Sequence, residues 1–324
     1  MKVAVLDDYA STIATLDCFA RLRDHDVAIF TDHTDDVDEL AHRLAETEAL
    51  VLIRERTAIT AALVDRLPRL RLVSLRSAYP HVDVDACTRH GVLVCSNLHA
   101  GTPSYATAEL TWGLVLAGVR RIPQQMASLR AGHWQESVGL SLHGRTLGVY
   151  GYGRIGAVIA SYGKAFAMQV QVWGSEGSRE RARADGWSVP ASRAEFFATS
   201  DVVSVHQRLV PATRGAITES DLRAMSPTSL FVNTSRAGLV APGALEAALE
   251  AGRPGAAAVD VYEREPVLDP HHPLLARDNV VCTPHIGYVT RDEWELQFAD
   301  VFDQVVAFAA GTPVNVVNPE ALRH

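Results

Sequence analysis

The chain predicts an α/β protein with two doubly wound parallel sheets, and three observations carry that expectation. Residues 2–96 alternate short β-rich runs with amphipathic helical stretches. The segment 147–156, LGVYGYGRIG, breaks an apolar β run into glycines, and a second set of alternating runs follows as far as residue 285. Such alternation places helices on both faces of a parallel sheet. At 324 residues the chain exceeds one ordinary core, so two domains are expected.

The first strands are read as KVAVL (2–6), VAIF (27–30), ALVLI (49–53), RLVSL (71–75) and VLVCS (92–96). Pro103 suits the first turn of a long helix running through ATAELTWGLVLAGVRRI to Ile122. Thr146–Tyr150 then opens the second sheet, followed by QVQVW (169–173), VVSVH (202–206), SLFVNTS (229–235), AAAVDVY (256–262) and NVVCTPH (279–285). A last helix spans roughly 291–310. Because it follows completion of the second sheet, it is expected to cross back and pack on the first. The expected division is a first domain of 1–99 plus 291–324 and a second of 100–290 that carries the glycine turn, with a cleft between them.

Composition narrows the function. The chain is 48% hydrophobic and 21% charged, with a formal net charge of −8 and no lysine/arginine block, which argues against nucleic acid and anionic membrane as partners. No apolar stretch reaches the ~18 residues of a membrane span, and MKVAVLDDYA enters a strand where a secretory leader would have its apolar core, so a cytoplasmic protein is expected. Cys18, Cys87, Cys95 and Cys282 stand apart, without the spacing of a metal site, and read as reduced thiols, the last two on buried strands.

In LGVYGYGRIG, Gly151 makes a tight turn, Gly153 lets backbone approach a pyrophosphate, and Gly156 packs the following helix on the strand. The N–H groups of that helix, beginning near Arg154 and Ile155, face an anion. Three polar residues then end strands of the second sheet: Arg236 after FVNTS, Glu265 after VDVY and His285 after VVCTP. Ligands of open α/β sheets bind beyond the carboxyl ends of strands, which directs all three toward the glycine turn. An arginine holds a carboxylate bidentately, a histidine carries the proton that accompanies hydride transfer, and a carboxylate beside it orients the ring and favours its charged form.

LGVYGYGRIG, FVNTSRAGLV, AAAVDVYEREP and NVVCTPHIGY, in this order, resemble the D-isomer-specific 2-hydroxyacid dehydrogenases over nearly the whole chain. The resemblance implies a flavodoxin-like substrate domain and a Rossmann cofactor domain. It also implies interconversion of a D-2-hydroxyacid and its 2-oxoacid with NAD, with Arg236, Glu265 and His285 as the catalytic set. It further implies that Asp260 meets the nicotinamide carboxamide, and that Thr107, Thr234, His206 and Gly287 line the cofactor. A homodimer through residues 102–135 is implied as well. Two rival readings are a dehydrogenase of another small anion such as phosphite, and a cofactor-sensing relative without catalysis.

Two departures from the family pattern stand out. Relatives commonly end the strand after the glycine-rich helix in an aspartate that binds the adenosine ribose; here Gly174, Ser175 and Glu176 follow QVQVW. Glu176 would accept the ribose hydroxyls and repel a 2′-phosphate, which favours NAD, whereas Arg179 and Arg181 would attract one, so NADP stays open. In the first domain, the glycine-containing loop whose N–H groups bind the substrate carboxylate reads LRSAYPHVDVD (75–85), with Ser77 and Ala78 at the binding positions and Pro80 lacking a donor. Tyr79, His81, Arg54 and Arg56 are candidates for contact with the substrate side chain.

Overall fold

The computed structural model describes residues 1–97 and 105–323. Pro103 and the domain boundary expected at 99/100 lie outside the described residues. The chain divides into two compact units, Met1–Thr102 with Thr290–His324, and Pro103–Val289.

Unit 1 carries five parallel strands among the described residues: β1 (Lys2–Val5), β2 (Asp26–Ile29), β3 (Ala49–Val51), β4 (Leu72–Arg76) and β5 (Leu93–Asn97), in the order β2-β1-β3-β4-β5. Their apolar runs are nearly unbroken because both sheet faces are covered. Leu50, Leu63, Val73, Leu75 and Val94 form one core. The helix Arg291–Ala309 belongs to this unit, with Thr290 capping it by accepting from the Glu293 N–H. It is held on β4 by the Ser74 hydroxyl, which donates to the Val301 carbonyl at 2.9 Å. The strand order reverses between β1 and β3, where doubly wound sheets take ligands.

Unit 2 carries six parallel strands among the described residues: β6 (Thr146–Tyr150), β7 (Gln169–Trp173), β8 (Val202–Val205), β9 (Leu230–Asn233), β10 (Ala256–Val259) and β11 (Val280–Cys282). The order is β11-β10-β9-β8-β6-β7, and Ser188 adds an isolated parallel bridge to Gln171 beyond β7. That bridge marks the third strand of a dinucleotide-binding half reduced to one residue, and the reversal falls between β6 and β8.

Two details correct the sequence reading. The stretch 106–122 is not one helix: Ala106–Arg120 ends at Arg121, whose φ is +52°, and Ile122–Arg130 begins anew. Pro123 has no N–H for the Val119 carbonyl, which accepts from the Leu140 N–H at 2.8 Å instead. Cys95 is fully buried but Cys282 is only partly so, because β11 is an edge strand, whereas β5 is covered by an antiparallel bridge from Val316 to Cys95. Among the described residues, no helix is long and apolar enough to cross a membrane.

Candidate active site

The turn after β6 has the shape of an anion cradle. Gly151 sits at φ +103° with its N–H donated to the Trp173 carbonyl at 2.7 Å, and a Cβ there would stand 2.6 Å from the His206 carbonyl. A Cβ on Gly156 would collide with the Gly151 carbonyl. Gly153 differs from both: it is extended (φ −104°), and an added Cβ meets nothing within 4 Å. The space in front of Gly153 lies at the N-terminus of the helix Arg154–Ala165, whose first N–H groups have no partner within the helix. A pyrophosphate fits there. Gly153→Ala should therefore leave the melting temperature within about 2 °C of wild type yet weaken NADH about tenfold or more, read by fluorescence titration of the binding alone.

At the end of β7, Gly174 turns at φ +150° and Ser175 caps the helix Glu176–Ala184 by accepting the Ser178 N–H. The Glu176 carboxylate lies along this helix against Arg179 and, at 3.3 Å, Arg183, and the two arginines keep it below the usual carboxylate range. Arg179 also covers the Trp173 ring at 4.6 Å. The arginines that sequence reading set against Glu176 thus include its own partner. His206 follows β8 with Nε2 2.7 Å from the Ser204 hydroxyl, and burial pushes its imidazole down to about 3. A ring held neutral in this way is no proton carrier near neutral pH.

The three strand-end residues come together beyond β9, β10 and β11. His285 Nδ1 lies 2.6 Å from Glu265 Oε2, with the two side chains 26% and 32% exposed, so the pair is within reach of a small molecule. Glu265 also accepts the Tyr262 N–H at 2.8 Å. Burial works against its charge, but the hydrogen bond and charge of His285, the Tyr262 N–H and the charge of Arg236 together hold its carboxyl below the ordinary range. Arg236 has its backbone pinned by Asn233, whose amide donates to the Arg236 carbonyl at 3.0 Å. Its guanidinium donates to the Ser235 carbonyl at 2.8 Å.

His285 adopts φ +51°, a conformation that costs a non-glycine residue energy and has to be held. Asp260 holds it. Fully buried at the end of β10, it accepts the Thr283 hydroxyl at 2.6 Å, the Ile286 N–H at 2.8 Å and the Gly287 N–H at 2.8 Å. The Gly287 carbonyl in turn accepts the Thr107 hydroxyl at 2.9 Å, and Thr111 joins Thr107 to Thr234. Tyr288 stands edge-on to the imidazole, centroids 5.7 Å apart. Asn233, Thr283, Thr111 and Tyr288 were not singled out from sequence; the signal available was that each lies within three residues of a strand-end candidate or one helical turn from Thr107.

The other candidates lie in unit 1. Arg54 (φ +59°) and Arg56 follow β3. Ser77 follows β4 at φ +85°, which accounts for the glycine usual in this loop; its N–H donates to the Asn97 carbonyl at 3.3 Å. Tyr79 packs on the core of the unit, while burial holds the His81 imidazole down and so neutral.

A glycine cradle at a sheet's switch point, with an arginine and a paired histidine and carboxylate at the neighbouring strand ends, defines a nucleotide-dependent oxidoreductase. Residues 112–287 match the family described as D-isomer specific 2-hydroxyacid dehydrogenase, NAD binding domain. The chain is 36% identical to glyoxylate reductase of Aeropyrum pernix, covering 88% of this chain and 87% of that protein. To D-3-phosphoglycerate dehydrogenase of Methanocaldococcus jannaschii it is 34% identical over 87% of this chain; it spans 53% of that protein, about half its length. Among solved structures, a protein of Ralstonia solanacearum shares 49% identity with a TM-score of 0.95 over 99% of this chain and 98% of that one. The phosphoglycerate oxidoreductase of Vibrio cholerae shares 48% with a TM-score of 0.92 over 96% and 99%.

The chain belongs to the D-isomer-specific 2-hydroxyacid dehydrogenase family. It is an NAD-dependent oxidoreductase acting on CH–OH donors.

Proposed function

We propose that the protein reduces a small anionic 2-oxoacid to its D-2-hydroxyacid and catalyses the reverse oxidation. The observation that carries this reading is the 2.6 Å contact of His285 with Glu265, with Nδ1 engaged on the carboxylate. That leaves Nε2 as the nitrogen for the substrate oxygen. Bound NADH supplies the hydride to C2 of the oxoacid. Arg236 holds the carboxylate and polarises the C2 oxygen; His285, protonated, delivers the proton to that oxygen as negative charge develops, and Glu265 keeps the ring oriented. Asp260 and Gly287 keep the histidine loop in its left-handed conformation, and the same wall, with Thr107 and Thr234, would receive the nicotinamide.

In unit 1, the Ser77–Tyr79 loop after β4 would bind the carboxylate through groups other than the Ser77 N–H, which the Asn97 carbonyl engages, and Arg54 with Arg56 would bind a second anionic group on the substrate. The names of the relatives, one a glyoxylate reductase and one a D-3-phosphoglycerate dehydrogenase, support both a minimal and a phosphorylated oxoacid. A homodimer through residues 102–135 completes the reading: Ile122, Met126, Leu129 and Trp134 are exposed there, Trp134 by 77%. NADH oxidation with glyoxylate, pyruvate and 3-phosphohydroxypyruvate tests the activity. Turnover of at least one is expected; NADH binding with no turnover of any would favour a cofactor-sensing role.

A further inference from the structure

The carboxyl ends of β1, β2 and β3 gather a polar cluster of which the reading above uses only Arg56. Asp7, after β1, is buried and sits at φ +63°. Its Oδ1 lies 2.8 Å from His33 Nδ1, in the loop after β2, and its Oδ2 accepts the Thr57 hydroxyl at 2.5 Å, in the loop after β3. The Asp7 carbonyl accepts from Arg56 Nη1 at 2.5 Å, and the Tyr9 ring lies 4.6 Å beneath the same guanidinium. The far nitrogen of His33, Nε2, is 2.9 Å from Asp35, and the His33 side chain is only 7% exposed.

This arrangement discriminates between protonation states. A neutral imidazole has one N–H and can donate to one of two carboxylates, leaving a lone pair against the other, whereas imidazolium donates to both. The charged groups around the ring are Asp7 from the β1 loop, Asp35 and Asp32 from its own loop, and Arg56 from the β3 loop. Arg43, from the helix Val37–Arg43, holds Asp32 bidentately at 2.8 and 2.7 Å. Asp7 therefore ties three strand ends together at the point where the strand order reverses. Its carboxylate bond to Thr57 in the β3 loop depends on where His33 holds that carboxylate, and Arg56, one residue before Thr57, bonds the Asp7 main-chain carbonyl.

We propose that Asp7 and His33 are positioning residues for the Arg54–Thr57 loop, and so set the preference for a 2-oxoacid that carries a second anionic group. The proposal rests on the reading of Arg54 and Arg56 as the site for that group. Burial opposes the His33 charge, but Asp7 and Asp35 outweigh it and raise the ring above its ordinary 6.5. The clamp is thus intact below that value and is lost as pH rises through the raised one.

The test is the ratio of kcat/KM for 3-phosphohydroxypyruvate to that for glyoxylate, measured from about pH 6 to 9. For His33→Gln the ratio should fall about tenfold at the acid end, through KM and not kcat, and should lose the His33-dependent decline that wild type shows on going alkaline. Asp35→Asn, at an exposed carboxylate and safe for folding, should move that decline to lower pH. A ratio unchanged in His33→Gln, or an unmoved profile in Asp35→Asn, overturns the proposal. Arg56→Ala separates the two readings. If it abolishes the preference while His33→Gln keeps it, the positioning role fails and the arginine site stands. If Arg56→Ala keeps the preference, or wild type shows none, the arginine reading fails and takes this one with it.

Discussion

Alanine in place of His285 is expected to lower kcat about 10³-fold in both directions, since general acid–base groups supply roughly 10²–10⁴, while NADH binding stays close to wild type. Under the proposed roles the His285 imidazole, with Glu265 beside it, carries the proton, and His206 cannot replace it because burial keeps that ring neutral. Glu265→Gln separates charge from shape. The hydrogen bond and charge of His285 draw Glu265 below the carboxylate range against its burial, so the carboxylate is held charged beside the ring. Glutamine keeps the shape but not that charge, so kcat should fall about tenfold or more in both directions. An unchanged kcat, in a folded variant that binds NADH, would show that the pair is not the acid–base unit.

Most strands were legible because a doubly wound sheet buries both faces, which makes a run such as LGVY or VVSV almost wholly apolar, while QVQVW was read as a β-rich run although Gln169 and Gln171 interrupt it. Their ends were legible for the same reason, as the point where polarity returns, and that is where Arg236, Glu265 and His285 stand. What sequence did not carry was the bonding between distant segments. Asp260, in the VDVY run, was read through the family resemblance as a contact for the nicotinamide carboxamide, but nothing in the sequence announced that its carboxylate closes a loop some 25 residues on, accepting from Thr283, Ile286 and Gly287. No periodicity announces such a clasp. Likewise Glu176 was read as open to a ribose, while the fold lays it against Arg179 and Arg183, and the long helix stops at Arg121, which takes a left-handed conformation two residues before Pro123.

Arg236→Lys should lose about 30- to 1,000-fold in kcat/KM for the 2-oxoacid with little change in NADH affinity. The backbone is fixed independently of the guanidinium: Asn233 bonds both the Arg236 carbonyl and the Ser235 N–H, each at 3.0 Å, and the Ser235 hydroxyl reaches the Val205 carbonyl at 2.6 Å. Lysine should therefore be accepted without disturbing β9 or the turn. It keeps the charge but not the planar fork that meets two carboxylate oxygens at once. Losing one charge-assisted bond, about 1.5–3 kcal/mol, and weakening the other brings the loss to about 2–4 kcal/mol, which gives the stated range at 1.4 kcal/mol per tenfold. A second consequence identifies the site. Arg236 is among the groups that hold Glu265 below the carboxylate range, so Arg236→Ala, which removes the charge, should disturb the pH profile of the His285 pair, whereas Arg236→Lys should leave it nearly unchanged. Near-wild-type kcat/KM in the lysine variant would move the carboxylate anchor to another arginine, Arg54 or Arg56, and leave Arg236 as an electrostatic neighbour of Glu265.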